Sequence, residues 1–488
     1  MKITKSLIAL ALLLAISFNL SAQNTSAQRF IDKTLKSDPL FKNAVVGILA
    51  VDDNDKIVAQ WNKNFPLLTA STLKTITTGV GIAYLGPDYK YKTQIAYSGD
   101  IEDGILNGNI HIIGGGDPTL GSKDTVAFAI DSIFGVWANA IKAAGIKQIN
   151  GNIVVDDSWM AREQMPDSWS YGNFGYSYGN TAHGLTFCEN LHYFTIAPGK
   201  EEGDPVNIQQ QYPYIPGLQL INDAKTGKEK TGDRTEYFVQ DMTLTGHWVG
   251  TFAKDRKAKV SKNSSRFPHL SCGYHFREYL VREGINSNSE IIDIQEYNGS
   301  KETKQLCETY SPELSKIINV TNRISNNMYA ETIFKTIGKE YTGVGSYDSS
   351  RVAVRKLLAE WGVDDLGFDT RDGSGLSRQD FVTPEFFCRF YKCMLKNDNF
   401  AKYLESFPVP GEGGTLKSVL KDKPVEQKSR IHAKSGSLTG VRCYAGYVEK
   451  PNKAGYLRFA ILVNNYPVST SKMMPNIEKF MYELTKVK

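Results

Sequence analysis

The feature that most restricts how this chain can fold is the placement of matching strand patterns at its two ends. Residues 44–61 read as a hairpin: Ala44 to Val51 is apolar, Asp52-Asp53-Asn54-Asp55 supplies turn formers, and Lys56 to Trp61 returns. Far downstream, Gly440 to Val448 and Tyr456 to Asn464 form two further strand-like runs joined by Glu449-Lys450-Pro451-Asn452-Lys453, and a closing helix is predicted over about Met474 to Lys486. Two strands alone do not make a stable sheet. One antiparallel sheet flanked by helices and built from both termini therefore accounts for the pattern better than two terminal domains do, and it leaves the middle of the chain inserted. At 488 residues the chain also exceeds what one core fills. Glycine- and strand-rich residues 88–197 and the polar, charged stretch 198–264 supply two inserted β-rich domains. The expected division is a leader at 1–22, a first domain from 23–87 and 302–488, a second from 88–197 and 265–301, and a third at 198–264.

The leader follows from the first residues. Lys2 and Lys5 precede the apolar run Leu7 to Phe18, and Ser21-Ala22-Gln23 offers a small-residue cleavage site after Ala22. That run is shorter than the ~20 residues needed to span a bilayer, and no Cys follows the cleavage site, so a secreted chain with at most peripheral membrane contact is expected. A net charge of +5 without a dense Lys/Arg stripe excludes nucleic acid as a partner. The six cysteines, at 188, 272, 307, 388, 393 and 443, are too scattered for a disulfide scaffold; buried thiols with at most one bridge are expected. No C-x-x-C or H-E-x-x-H spacing occurs, so neither metal nor cofactor is expected. Oligomeric state is left open by the sequence.

The candidate chemistry begins at Ser71-Thr72-Leu73-Lys74. A serine hydroxyl needs a base, and a lysine three residues later on a helix lies on the same face within reach. An amphipathic helix is predicted over Thr72 to Tyr84, with Leu73, Ile76, Val80 and Ile82 apolar and Gly86-Pro87 ending it. Its N-terminus would offer N–H groups to a developing oxyanion. The S-x-x-K pattern recurs at Ser418 to Lys421 and at Ser469 to Lys472, so context alone distinguishes Ser71. A second element, Ser325-Asn326-Asn327, leads into a predicted helix. A third, Lys434-Ser435-Gly436, opens the strand Ser437 to Val448, whose edge suits an extended peptide. The literal K-T-G matches at 225–227 and 230–232 precede Ser325 and fall in a solvated run, Asp223 to Glu236, expected to be a loop.

S-x-x-K, S-x-N and a K-T-G variant in that order form a joint signature. With Gly115-Gly116-Asp117-Pro118-Thr119-Leu120, Gly151 to Asp157, Asp372-Gly373-Ser374-Gly375-Leu376-Ser377 and Pro408 to Leu416, the chain resembles the low-molecular-mass class C penicillin-binding proteins, the D-Ala-D-Ala carboxypeptidase/endopeptidases of peptidase family S13. The resemblance implies an α/β (α+β) penicillin-binding transpeptidase/serine β-lactamase-like domain with insertions. It also implies periplasmic action on peptidoglycan peptides, and reaction with β-lactams. By the same resemblance Ser71 is the nucleophile, Lys74 the general base and Ser325 the proton relay. Asn327 holds the acyl chain's amide and steadies Lys74, Lys434 and Ser435 attract the substrate carboxylate, and Gly436 with Ser437 lies along the substrate, the N–H groups of Ser71 and Ser437 forming the oxyanion hole. Asn326 and Ser435 depart from the family's frequent Asp and Thr. Rival expectations are a serine β-lactamase, an α/β-hydrolase esterase using Ser177 of Gly175-Tyr176-Ser177-Tyr178-Gly179, and a catalytically silent wall-binding module. Trp159 and His432 are taken as core and strand residues.

Overall fold

Apolar runs at the two chain ends pair edge to edge. The computed structural model describes residues 25–163, 166–239 and 243–487; the expected leader at 1–22 lies outside the described residues. The chain divides into two compact units, one formed by the chain up to Pro87 with Ile318–Ser325 and Arg351–Lys488, the other by Asp88–Ile317 with Asn326–Ser350.

In the first unit, helix α1 (Ser26–Ser37) precedes strands β1 (Val45–Val51) and β2 (Ile57–Trp61); helix α2 (Lys74–Leu85) follows. After helix α3 (Pro384–Met394) come β3 (Ile431–Leu438), β4 (Val441–Glu449), β5 (Tyr456–Asn464) and helix α4 (Thr470–Leu484). The sheet order is β2-β1-β5-β4-β3, with every pairing antiparallel, so the first and last strands of the chain lie side by side: Val46 opposite Val463, Leu49 opposite Ala460. Helices α1 and α4 cover one face, where Ile31, Ile48, Phe459, Ile461, Ile477 and Phe480 form a buried core. Against the other face α3 buries Phe386, Phe387, Phe390 and Tyr391. Pro384 at its first turn and Thr383, whose hydroxyl accepts from the Phe386 N–H at 3.0 Å, set where it begins.

Helix α2 departs from the amphipathic pattern. Every residue from Lys74 to Ile82 is buried, polar ones included. Threonine makes this tolerable: Thr78 donates to the Lys74 carbonyl at 2.7 Å and Thr77 to the Gly373 carbonyl at 2.7 Å, so the hydroxyls are satisfied inside the protein. Gly79 lets the ring of Phe390 approach; a Cβ there would lie 2.7 Å from it.

The second unit is built on a seven-stranded mixed sheet whose long central strands are Lys92–Glu102 and Ile105–Ile113. Helices Ile130–Ala143 and Pro268–Arg282 bury Phe134, Trp137, Phe276 and Leu280 in its core. Strand Lys304–Tyr310, expected with the first domain, is the edge partner of Lys92–Glu102 in this sheet. A separate apolar cluster of Phe194, Ile196, Tyr237, Trp248 and Phe252 lies among the short strands of residues 191–264. There Lys225–Gly227, expected as a solvated loop, is a short strand parallel to Thr251–Ala253; the buried Thr226 hydroxyl accepts from the Gly199 N–H at 2.7 Å. All six cysteines are free thiols, four of them buried, so the one bridge the sequence allowed is not formed. Among the described residues no helix is long and apolar enough to cross a membrane.

Candidate active site

Ser71 sits in a 3-10 turn, Ala70–Leu73, that runs directly into α2. Two glycines from distant segments fit the turn. A Cβ on Gly375, at φ 79°, would lie 2.0 Å from the Ala70 carbonyl oxygen, and one on Gly436 would lie 2.5 Å from the Thr69 carbonyl oxygen and 3.0 Å from the Ser71 nitrogen. Only a residue without a side chain permits such approach. The loop before the turn is pinned as well: the Asn464 side chain accepts from the Leu68 N–H at 2.9 Å and donates to its carbonyl at 3.1 Å. Ala70 itself is held at φ 45°, a strained conformation for a residue with a Cβ.

Lys74, fully buried at the head of α2, donates from Nζ to Ser71 Oγ at 3.0 Å and to the Ser374 carbonyl at 2.8 Å. The loop carrying that carbonyl is fixed by Asp372, whose carboxylate accepts from the N–H groups of Gly375 at 2.7 Å and Ser377 at 2.8 Å. Lys434, on the edge strand β3, is also fully buried; its Nζ donates to Ser325 Oγ at 2.9 Å and to the Ser435 carbonyl at 2.7 Å. Burial pushes its pKa well below the ordinary lysine value, and the nearby charges of Lys74 and then Arg442 push it the same way. Ser325 follows the helix Leu314–Arg323 at φ 62°, again left-handed. In β3, Ser435, Gly436 and Ser437 lie opposite Tyr444, Cys443 and Arg442, so β4 takes one side of the strand and its other side is the sheet edge.

Thus Ser71, Lys74, Ser325, Lys434, Ser435, Gly436 and Ser437 all belong to the first unit, while Asn327 opens the helix Asn327–Thr342 of the second. Asn327 donates to the Tyr178 carbonyl at 2.8 Å. Asn326 caps that helix, its side-chain oxygen accepting from the Tyr329 N–H at 3.1 Å while its amide donates to Glu189 at 2.9 Å. The carbonyl of Ser374 and the anchoring pair Leu68–Asn464 went unassigned in the sequence; the D-G-S-G-L-S segment signalled the first, and nothing local signals the second.

A model of the D-Ala-D-Ala carboxypeptidase 3 (S13) family matches residues 27–487. The chain belongs to that family. As an S13 member it is an enzyme of the serine peptidase type. It is 27% identical over 468 residues to a D-alanyl-D-alanine carboxypeptidase of Actinomadura sp. (strain R39), covering 91% of this chain and 82% of that one. Penicillin binding protein 4 (dacB) from Haemophilus influenzae superposes with a TM-score of 0.80 at 22% identity over 94% of this chain and 98% of that one. The same protein complexed with a β-lactam gives a TM-score of 0.75 at 21% identity, with coverage of 94% and 98%. The S13 chain therefore has the penicillin-binding-protein fold. Ser177, by contrast, lies in an isolated 3-10 turn, Ser177–Gly179, with extended residues on either side; the strand-to-helix elbow that an esterase nucleophile requires is not there.

Proposed function

We propose that the enzyme hydrolyses D-alanyl peptide bonds of peptidoglycan stem peptides through an acyl-enzyme on Ser71. The observation that carries this is the contact of 3.0 Å between the fully buried Lys74 Nζ and the half-buried Ser71 Oγ, which sets a proton acceptor against a hydroxyl that substrate can still reach. Lys74 takes the Ser71 proton as Oγ bonds to the carbonyl carbon between two D-alanines. The resulting oxyanion is held by the N–H groups of Ser71 and Ser437, one such donor being worth roughly 3–4 kcal/mol. Ser325, bonded to Lys434, passes a proton to the leaving amine as the C–N bond breaks and D-alanine departs. Water then cleaves the ester. The peptide lies along the β3 edge as an added strand, with its terminal carboxylate toward Lys434 and Ser435.

The same nucleophile opens β-lactams, forming a penicilloyl ester, and the enzyme works in the periplasm after removal of the leader at 1–22. Labelling with penicillin, followed by proteolysis and mass mapping, is expected to place the adduct on Ser71; an adduct elsewhere refutes the assignment. Incubation with purified muropeptides is expected to release D-alanine, and the products from cross-linked muropeptides report endopeptidase action.

A further inference from the structure

We propose that Asp157, His183 and His269 form a binding site for a divalent transition-metal ion of the zinc class, in the second unit and separate from the serine chemistry. These three residues come from distant stretches of chain, yet one donor atom of each lies within 4.8 Å of the others, and all three are buried. Asp157 Oδ2 is 3.8 Å from His183 Nδ1 and 3.7 Å from His269 Nδ1. Zinc bonds of about 2.0–2.2 Å in tetrahedral geometry require donors roughly 3.3–3.5 Å apart, so these two edges need contract by only a few tenths of an ångström.

The polar atoms at the centre point to a ligand. His269 is fully buried, and its Nδ1 has no hydrogen-bond partner, although it faces the Asp157 carboxylate from beyond hydrogen-bond range. Most buried side-chain nitrogens in folded proteins have a hydrogen-bond partner. Here Nε2 is satisfied, 3.0 Å from Asp293 Oδ2, which leaves Nδ1 as the lone-pair donor. A carboxylate behind the ring of a coordinating histidine is the arrangement that fixes its tautomer and strengthens it as a ligand. Asp157 is oriented in the same manner: Arg162 donates to it through Nη2 at 2.5 Å and Nε at 3.2 Å, and the same guanidinium reaches both oxygens of Asp293 at 2.7 and 2.9 Å.

Asp157, Asp293 and Arg162 sum to one negative charge, which favours a cation, and the nearby Lys335 ammonium is answered by Glu163 at 3.5 Å. Two imidazoles and one carboxylate form a borderline-soft N/N/O donor set that suits zinc rather than calcium or magnesium.

The test uses the whole chain, dialysed against chelator and titrated calorimetrically with zinc chloride. One equivalent is expected to bind, raising the unfolding temperature by roughly 3–5 °C at a hundredfold excess over Kd. His183→Gln and His269→Gln are each expected to weaken binding at least tenfold. Absence of stoichiometric binding, or binding by both variants as tight as by the wild-type chain, overturns the proposal. Should the variants fail to fold, X-ray absorption on the zinc-loaded wild-type protein decides: two imidazoles and oxygen support the site, whereas sulfur or an all-oxygen shell refutes it. Penicillin labelling of Ser71 is read in parallel, so failure of the metal site and failure of the catalytic assignment are distinguishable.

Discussion

Lys74 and Lys434 are both fully buried, and each is tied to a different serine. Lys74→Ala is expected to slow penicilloylation by roughly 10²–10⁴-fold, the range for loss of a positioned proton acceptor. Stopped-flow acylation of variant and wild type measures it. For Lys434 the sign of the pH effect follows from its lowered pKa. Between that value and 10.5 the unfolded chain holds a proton that the native lysine has shed, so stability rises with pH across this window. Lys434→Met is expected to flatten that rise; calorimetric scans from pH 7 to pH 10 showing identical slopes would refute it. Asn326 serves two partners at once, because its amide donates to Glu189 while its oxygen caps a helix. Asn326→Asp keeps the cap but sets two carboxylates together, and is expected to cost about 2 kcal/mol at pH 7. Burial already raises the Glu189 pKa, so acidification should recover most of that loss as the carboxylate takes up a proton. Denaturant titrations at pH 7 and pH 5 provide the comparison.

The turn Ala70–Leu73 is shaped by the loop and strand that press on it rather than by its own residues. Gly375 and Gly362 both have positive φ, at 79° and 72°, but only Gly375 would drive a Cβ into another segment. Gly375→Ala should therefore cost strain plus overpacking, about 1–3 kcal/mol beyond Gly362→Ala, and should slow acylation through displacement of Ser71. Equal losses of stability and rate in the two variants would show that the fit at Ala70 is unimportant. The burial of α2 was hidden by its composition. Threonine and glycine lower apolar periodicity in the sequence, yet in the fold the hydroxyls bond to carbonyls and the glycine admits a phenylalanine ring.

Across the whole molecule, the sheet of the first unit requires both chain ends, and α4 seals its core with Met473, Ile477, Phe480, Met481 and Leu484. Phe480→Ala is expected to lose about 3–5 kcal/mol by urea denaturation, the cost of a large buried cavity. The terminal strands, the closing helix and the order of the three motifs were legible in the sequence, because strand alternation and turn residues are local and the motifs lie in short runs. The break that makes β3 and β4 two strands, the left-handed Ser325, the carbonyl clamp on Lys74 and the meeting of Asp157, His183 and His269 were not. The last two depend on segments from tens to hundreds of residues apart being brought within a few ångströms. By itself the sequence determined which side chains could carry chemistry and which runs could form strands. Tertiary structure alone decided which backbone atoms face those side chains and how deeply water is excluded, since packing and desolvation arise only when remote parts of the chain share one interior.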